Sequence, residues 1–289
     1  MMCAFLCSVL CFAELLVGSW NLRWFPSGRA EHRAPVPVEE RAMDDAAAAI
    51  REGIARRRPG DHMVLFFQEL RSEEVCSNLV ARIGATNVLK VASVSAFRMW
   101  DRRLGWQQNG IATDLPVLDA NFSYWRRSKK ILPPRGYAYA LLDAGEEGLV
   151  ACYCVHLKSN YGAKTPEEKR ENEEKRELAA SQLVDITKKI RAPDGRRVTR
   201  IIIAGDFNTS PFDGTFPNEK TVPMLVDAGY VNCFAGAPPS ERGTCPGHGR
   251  FPDSTFDYIF HRGFESQLER WLSPPSKPSD HRAVWLRVK

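Results

Sequence analysis

The sequence predicts an α/β protein, and three observations carry that expectation. Helical and extended hydrophobic periodicities alternate along the chain. Several apolar runs of strand length stop abruptly at polar, chemically competent residues. No apolar run reaches the roughly 18–20 residues that span a bilayer, so no stable membrane span is expected. With 289 residues, 44% hydrophobic and 26% charged, the chain has material for a sizeable core. There is no internal repeat and no dividing linker, so residues 14–289 are expected to form one domain and a monomer. The balance of 40 basic against 35 acidic residues gives a net charge of +5, a weak preference for anionic partners.

Taken in order, Leu15–Phe25 reads as a strand broken by Pro26, Ser27 and Gly28. Val38–Arg56 is an amphipathic helix, with Met43, Ala46, Ala47, Ile50 and Ile54 at three-to-four spacing. Met63–Phe67 is continuously apolar, as a strand buried on both faces would be. It ends at Gln68–Glu69, and Ser72 then caps a short helix carrying Val75, Leu79 and Ile83. Val91–Phe97, Gly110–Val117, Tyr137–Leu142 and Leu149–His156 are further strands. Thr165, Pro166 and Glu168 form a capping-box start for a long helix whose stripe is Leu178, Ala179, Leu183, Ile186 and Ile190. Arg200–Ala204, Phe256–Phe260 and Ala283–Val288 complete the strands.

The eight cysteines give no metal-site spacing. Cys152 and Cys154 alternate within a strand and should pack as small apolar groups. Cys233 and Cys245 would suit a disulfide in an exported protein. Cys3, Cys7 and Cys11 sit in the apolar opening run of residues 1–13, which resembles a secretory signal with cleavage at Ala13. That run lacks a basic start and places Cys11 where a small residue is wanted. Export, a ragged N-terminus and a cytoplasmic location therefore stay open.

Polar residues at strand ends are the informative feature. Asn21 lies in the first strand, Glu69 follows the second, His156 leads into Lys158, Ser159 and Asn160, and Asp206 and Asn208 follow a buried strand. Ser279, Asp280 and His281 precede the last strand. In α/β sheets ligands gather at strand ends. Singly, each has an ordinary explanation as a solvated loop charge, an Asx turn or a structural histidine. Their ordered recurrence does not.

The segments SWNLRWF (19–25), FFQEL (66–70), QNGIATDLPV (108–117), VHLKSN (155–160), IIIAGDFNTSP (201–211), FDYIF (256–260) and PSDHRAV (278–284) carry a family resemblance. The chain resembles the endonuclease/exonuclease/phosphatase superfamily, the deoxyribonuclease I-like proteins. The resemblance implies a four-layer α/β/β/α sandwich, two packed mixed β-sheets flanked by helices, and a Mg²⁺- or Mn²⁺-dependent phosphoric ester hydrolase. It implies that Glu69 ligates the cation with Asn21 and Asp280 nearby, and that Asp206 deprotonates the attacking water. Asn208 would hold water or a phosphoryl oxygen, His281 the phosphate, and Asp257 the His281 ring. His156 would be a second phosphate-side histidine, and Lys158 and Asn160 would bind substrate. Four carboxylates clustered without a cation would raise one another's pKa values.

Arg23 stands where abasic-site repair members carry an acid, which argues against that role. The acid that orients the equivalent of His156 in deoxyribonuclease I has no clear match between Ser95 and Trp106. Two stretches interleave cations and aromatics: Arg98, Trp100, Arg102, Arg103, Trp106, and Tyr124, Trp125, Arg126, Arg127, Lys129, Lys130. They would either track a nucleic-acid backbone or, more simply, bury tryptophan and extend arginine outward. The expected activity is a nuclease-like phosphodiesterase with nucleic acid as the favoured partner. A lipid or inositol phosphate hydrolase on the same fold, and a non-catalytic binding module, are the alternatives.

Overall fold

A computed structural model describes residues 14–28, 33–84, 89–212, 214–247 and 253–289. The signal-like run and its three cysteines fall outside these residues. Two six-stranded sheets form the molecule. The first has the order β11-β12-β1-β2-β4-β3 and the second β5-β6-β7-β8-β10-β9.

The first sheet contains β1 (Leu15–Phe25), β2 (His62–Leu70), β3 (Lys90–Val94), β4 (Gln108–Thr113), β11 (Gln267–Leu272) and β12 (Val284–Val288). The second contains β5 (Val117–Tyr124), β6 (Gly136–Asp143), β7 (Leu149–His156), β8 (Arg200–Asp206), β9 (Val231–Asn232) and β10 (Asp257–Arg262). Each sheet has a parallel central pair, β1 with β2 and β7 with β8, and antiparallel neighbours on both sides. This is the mixed two-sheet sandwich with flanking helices that the sequence led us to expect.

Helices α1 (Val36–Ile54) and α2 (Glu73–Ile83) are linked to the first sheet by a core containing Met43, Ile50, Leu65, Phe67, Leu79 and Trp285. Gly53 makes this packing close, because a Cβ there would meet the Trp285 ring at 2.0 Å. A second core runs between the sheets and under α3 (Pro166–Lys188) and α4 (Thr221–Asp227), joining Val17, Phe66, Tyr153, Ile203, Leu183 and Leu225. Both predicted caps are present: Ser72 accepts the Val75 N–H, and Thr165 with Glu168 closes a full capping box.

Several boundaries differ from the sequence reading. The strand expected over Gly110–Val117 stops at Thr113, where Asp114 turns back to accept the Met63 N–H and pair with Arg57. Pro116 has no N–H to continue the ladder. Strands β5, β9 and β11 and helix α4 have no counterpart in that reading; β5 is largely exposed, so it shows no buried stripe. Cys233 and Cys245 are both free thiols, with the Cys233 sulfur accepting the Ile259 N–H. Cys152 and Cys154 are buried in the core as expected. Trp125 is 3% exposed, but Trp100 is 95% exposed, so burial of the tryptophans holds for the first and fails for the second. No helix among the described residues is long and apolar enough to cross a membrane.

Candidate active site

The two parallel pairs end at the same edge of the sandwich, and their last residues face one another. Sheet one supplies Asn21 from β1 and Glu69 from β2; sheet two supplies His156 from β7 and Asp206 from β8. Pairing places His156 beside Asp206 on one side and Asp257 beside Asp206 on the other. Gly205 permits this, since its φ is +145° and a Cβ would strike the Val155 carbonyl oxygen at 1.9 Å.

Hydrogen bonds make these groups a continuous row. The Asn21 amide nitrogen donates to Glu69 Oε1 at 3.1 Å and to Asp206 Oδ2 at 2.8 Å, tying the sheets together. The other Glu69 oxygen accepts the Trp24 backbone N–H at 2.9 Å. His156 Nε2 lies 3.7 Å from Glu69 Oε1 and 3.6 Å from Asp206 Oδ2. At the far end His281 Nδ1 lies 2.7 Å from Asp257 Oδ2. The loop bearing His281 is pinned to β1: Ser279 donates to the Asn21 carbonyl and accepts the His281 N–H, while the Trp20 indole donates to the His281 carbonyl. Glu69 and Asn208 both have positive φ, 62° and 52°, backbone that non-glycine residues seldom adopt and that concentrates at functional sites.

The electrostatics separate the groups. Burial, reinforced by the charge of Asp257, pushes the Asp206 carboxyl up to about 7. Burial opposes a charge on His281, yet the Asp257 carboxylate and its hydrogen bond, with Asp206 and Asp280 adding, raise it to about 10. His156 is held well below its ordinary value by burial and by the positive charges of Arg135, His281 and Lys158. Its Nδ1 has no hydrogen-bond partner among the described residues. At neutral pH the row therefore holds one charged imidazole and one neutral one.

The donor set suits a hard divalent cation. Glu69, His156 and Asp206 offer ligand atoms within 4.8 Å of one another, as do Asp206, Asp257 and His281. Asp257 Oδ1 is buried with no hydrogen-bond donor among the described residues, an acceptor left over for an ion or a water. Asp280 does not join either group; its half-exposed carboxylate pairs with Arg23 at 3.4 Å and stands 4.0 Å from His281 Nε2.

Other expected residues fall beside the row. Asn208 donates its backbone N–H to Asp206 and its side chain to the Leu157 carbonyl. Lys158 bonds the Ser159 carbonyl, and the Asn160 side-chain oxygen accepts from Arg176, itself buried against Glu219 at 2.6 Å. Lys158 is thus tied into its own loop, and Asn160 is tied to α3 through Arg176. Arg135 was invisible in the sequence, lying in a Pro-rich turn with no motif around it. Its guanidinium bonds the carbonyls of His156 and Leu157 and the Gln107 side chain, close enough to feel Glu69 and Asp206.

A two-sheet sandwich with carboxylates, an Asn and two histidines gathered at its strand ends defines a phosphoesterase class. Residues 18–281 match the model of the Endonuclease/Exonuclease/phosphatase family, and the chain belongs to that family. No curated protein sequence matches the chain significantly. Among solved structures, an endonuclease/exonuclease/phosphatase from Beutenbergia cavernae superposes with a TM-score of 0.66 at 18% identity, covering 96% of this chain and 72% of that one. Sphingomyelinase C from Streptomyces griseocarneus gives 0.60 at 14% identity, covering 96% and 99%. TDP2 of D. rerio, complexed with single-strand DNA product, gives 0.56 at 16% identity, with the same coverages of 96% and 99%. At these identities the likeness is one of fold.

Proposed function

We propose that this phosphoesterase is a Mg²⁺- or Mn²⁺-dependent, nuclease-like phosphodiesterase. The observation that supports this most directly is the row itself: Asp206 near neutrality, flanked by a neutral His156 and a charged His281 fixed by Asp257 at 2.7 Å. A phosphodiester is already anionic, so its hydrolysis needs a positioned water, neutralised phosphoryl oxygens and a stabilised leaving oxygen.

Asp206 accepts the proton of the attacking water, with Asn208 at its side to hold that water or a phosphoryl oxygen. His281 donates to the phosphate, and Asp257 holds its ring and its charge. His156 is the second imidazole on the phosphate. Glu69 is the principal cation ligand, with Asn21 holding Glu69 and Asp206 in register and Asp280 at the rim. A bound cation would supply charge stabilisation to the phosphoryl oxygens. Lys158 and Asn160 shape the loop behind His156.

The test is hydrolysis of bis-p-nitrophenyl phosphate, p-nitrophenyl phosphate, plasmid DNA and sphingomyelin with Mg²⁺ or with EDTA. Cation-dependent cleavage of DNA and the diester is expected. Turnover of the monoester or of sphingomyelin alone moves the chain to a phosphatase or lipid substrate, and no turnover with any cation leaves a binding module.

A further inference from the structure

A cavity of about 440 Å³ is lined by Trp24, whose backbone N–H bonds Glu69, and by none of the proposed catalytic groups. Its walls include Trp24, Pro26, Arg71, Asn78 and Trp106. The volume falls in the range of about 300–1,000 Å³ typical of small-ligand sites. Both tryptophans are half-buried, and Trp24 is anchored to the row. The Trp24 backbone N–H bonds Glu69 at 2.9 Å, and Gln107, next to Trp106, accepts from Arg135 at 2.7 Å.

We propose that this cavity is the subsite for a nucleobase of the substrate, a deepening that rests on the diesterase reading above. Three features select that occupant. Arg71 is already matched: both its terminal nitrogens bond Glu39, at 2.6 and 2.8 Å, and the guanidinium holds the Glu39 carboxyl below its ordinary value. Arg71 is thus neutralised, and although Arg33 also lines the wall, Glu39, Glu40 and Glu74 outnumber the two arginines there, which disfavours a second phosphate such as those of an inositol polyphosphate. An acyl chain is disfavoured by the same arginine, glutamates and asparagine. A neutral, flat, polar-edged group fits: indole faces stack on bases of any sequence, and the Asn78 carboxamide supplies both a donor and an acceptor for a base edge.

The experiment has two arms. In the first, calorimetry compares binding of AMP and ribose 5-phosphate to the intact chain, which removes the base while keeping sugar and phosphate. AMP should bind about tenfold tighter, the scale of one stacked base. That advantage should vanish in Trp106→Ala and survive largely in Trp106→Phe, which keeps an aromatic face. In the second, the preference for thymidine 5′-(p-nitrophenyl phosphate) over methyl p-nitrophenyl phosphate should drop about tenfold in kcat/KM on Trp106→Ala. Trp100→Ala, outside the cavity, should keep the preference. Equal binding of AMP and ribose 5-phosphate by the unmodified protein overturns the subsite. If diesters are cleaved nonetheless, the diesterase reading survives that failure. If none is cleaved but the Trp106-dependent AMP preference is present, the subsite stands and the diesterase reading falls.

Discussion

The two ends of the polar row are built on different principles. At the His281 end, Asp257 is fully buried, its partner imidazole is charged, and Asp206 is pushed up by burial and by that neighbour's charge. At the Glu69 end, the carboxylate is met by two neutral donors, the Asn21 amide and the Trp24 N–H, and by an uncharged His156. One end stores charge against its neighbours and is suited to moving protons. The other presents a carboxylate balanced by dipoles and suited to a cation. The sheets divide the row differently: His156, Asp206 and Asp257 are cross-strand neighbours within one sheet, whereas Glu69 reaches them from the other.

The largest effects should come from the proton-handling end. Asp206→Ala should lower kcat on bis-p-nitrophenyl phosphate about 10³-fold and His281→Gln about 10²-fold, with the circular dichroism spectrum retained. Equal rates in either variant and the parent would dismantle the assignment. Gly205→Ala should instead cost stability, about 3 kcal/mol, read from urea unfolding, because its Cβ meets the Val155 carbonyl at 1.9 Å and its φ is +145°.

Cation binding should report on the other end. Saturating Mg²⁺ should raise Tm by about 5 °C, and Glu69→Gln should remove most of that gain. If Glu69→Gln keeps the shift while Asp280→Asn loses it, the two acids exchange roles.

The pH dependence of the metal-free protein sharpens the contrast further. His281 rises from 6.5 to about 10 on folding, so its stabilisation is complete below the unfolded value and is lost as pH climbs through the folded one. Asp206 rises from 3.8 to about 7, so folding favours its protonated form, and that contribution fades as pH passes from the lower value to the higher. Both act in one direction, Asp206 between about pH 4 and 7 and His281 between about pH 6.5 and 10; above about pH 6.5, where His156 is neutral whether folded or unfolded, Tm should fall toward pH 10. His281→Gln should flatten the upper part of that decline. The smallest effect is on Asp257→Asn, where the His281 ring should titrate nearer its ordinary 6.5 in an NMR series.

The sequence disclosed the central strands and helices because their faces are buried. Met63–Phe67 and Arg200–Ala204 are continuous apolar runs, and Thr165–Glu168 announces its helix. Edge strands β5, β9 and β11 left little trace, since an edge need not alternate in polarity. Candidate site residues stood out where motifs bracket them, as with Asp206 and His281, and the sandwich brings Asn21, Glu69, His156, Asp206, Asp257 and His281 together. Asp280, Lys158 and Asn160 carry the same kind of motif signal, yet Asp280 pairs with Arg23, Lys158 bonds its neighbour Ser159, and Asn160 accepts from Arg176 in α3. Arg135 lacked any motif because its half-buried guanidinium gets its place from backbone carbonyls distant in sequence, which residue identity does not encode.

The Asn21 side chain acts as a hinge pin between the two sheets. Its single amide group touches a carboxylate on each, so a slight rocking of one sheet over the other changes the gap from Glu69 to Asp206 without altering the spacing of His156, Asp206 and Asp257. Strain or heat that loosens the sandwich would therefore loosen a bound cation before it disturbs the spacing of His156, Asp206 and Asp257.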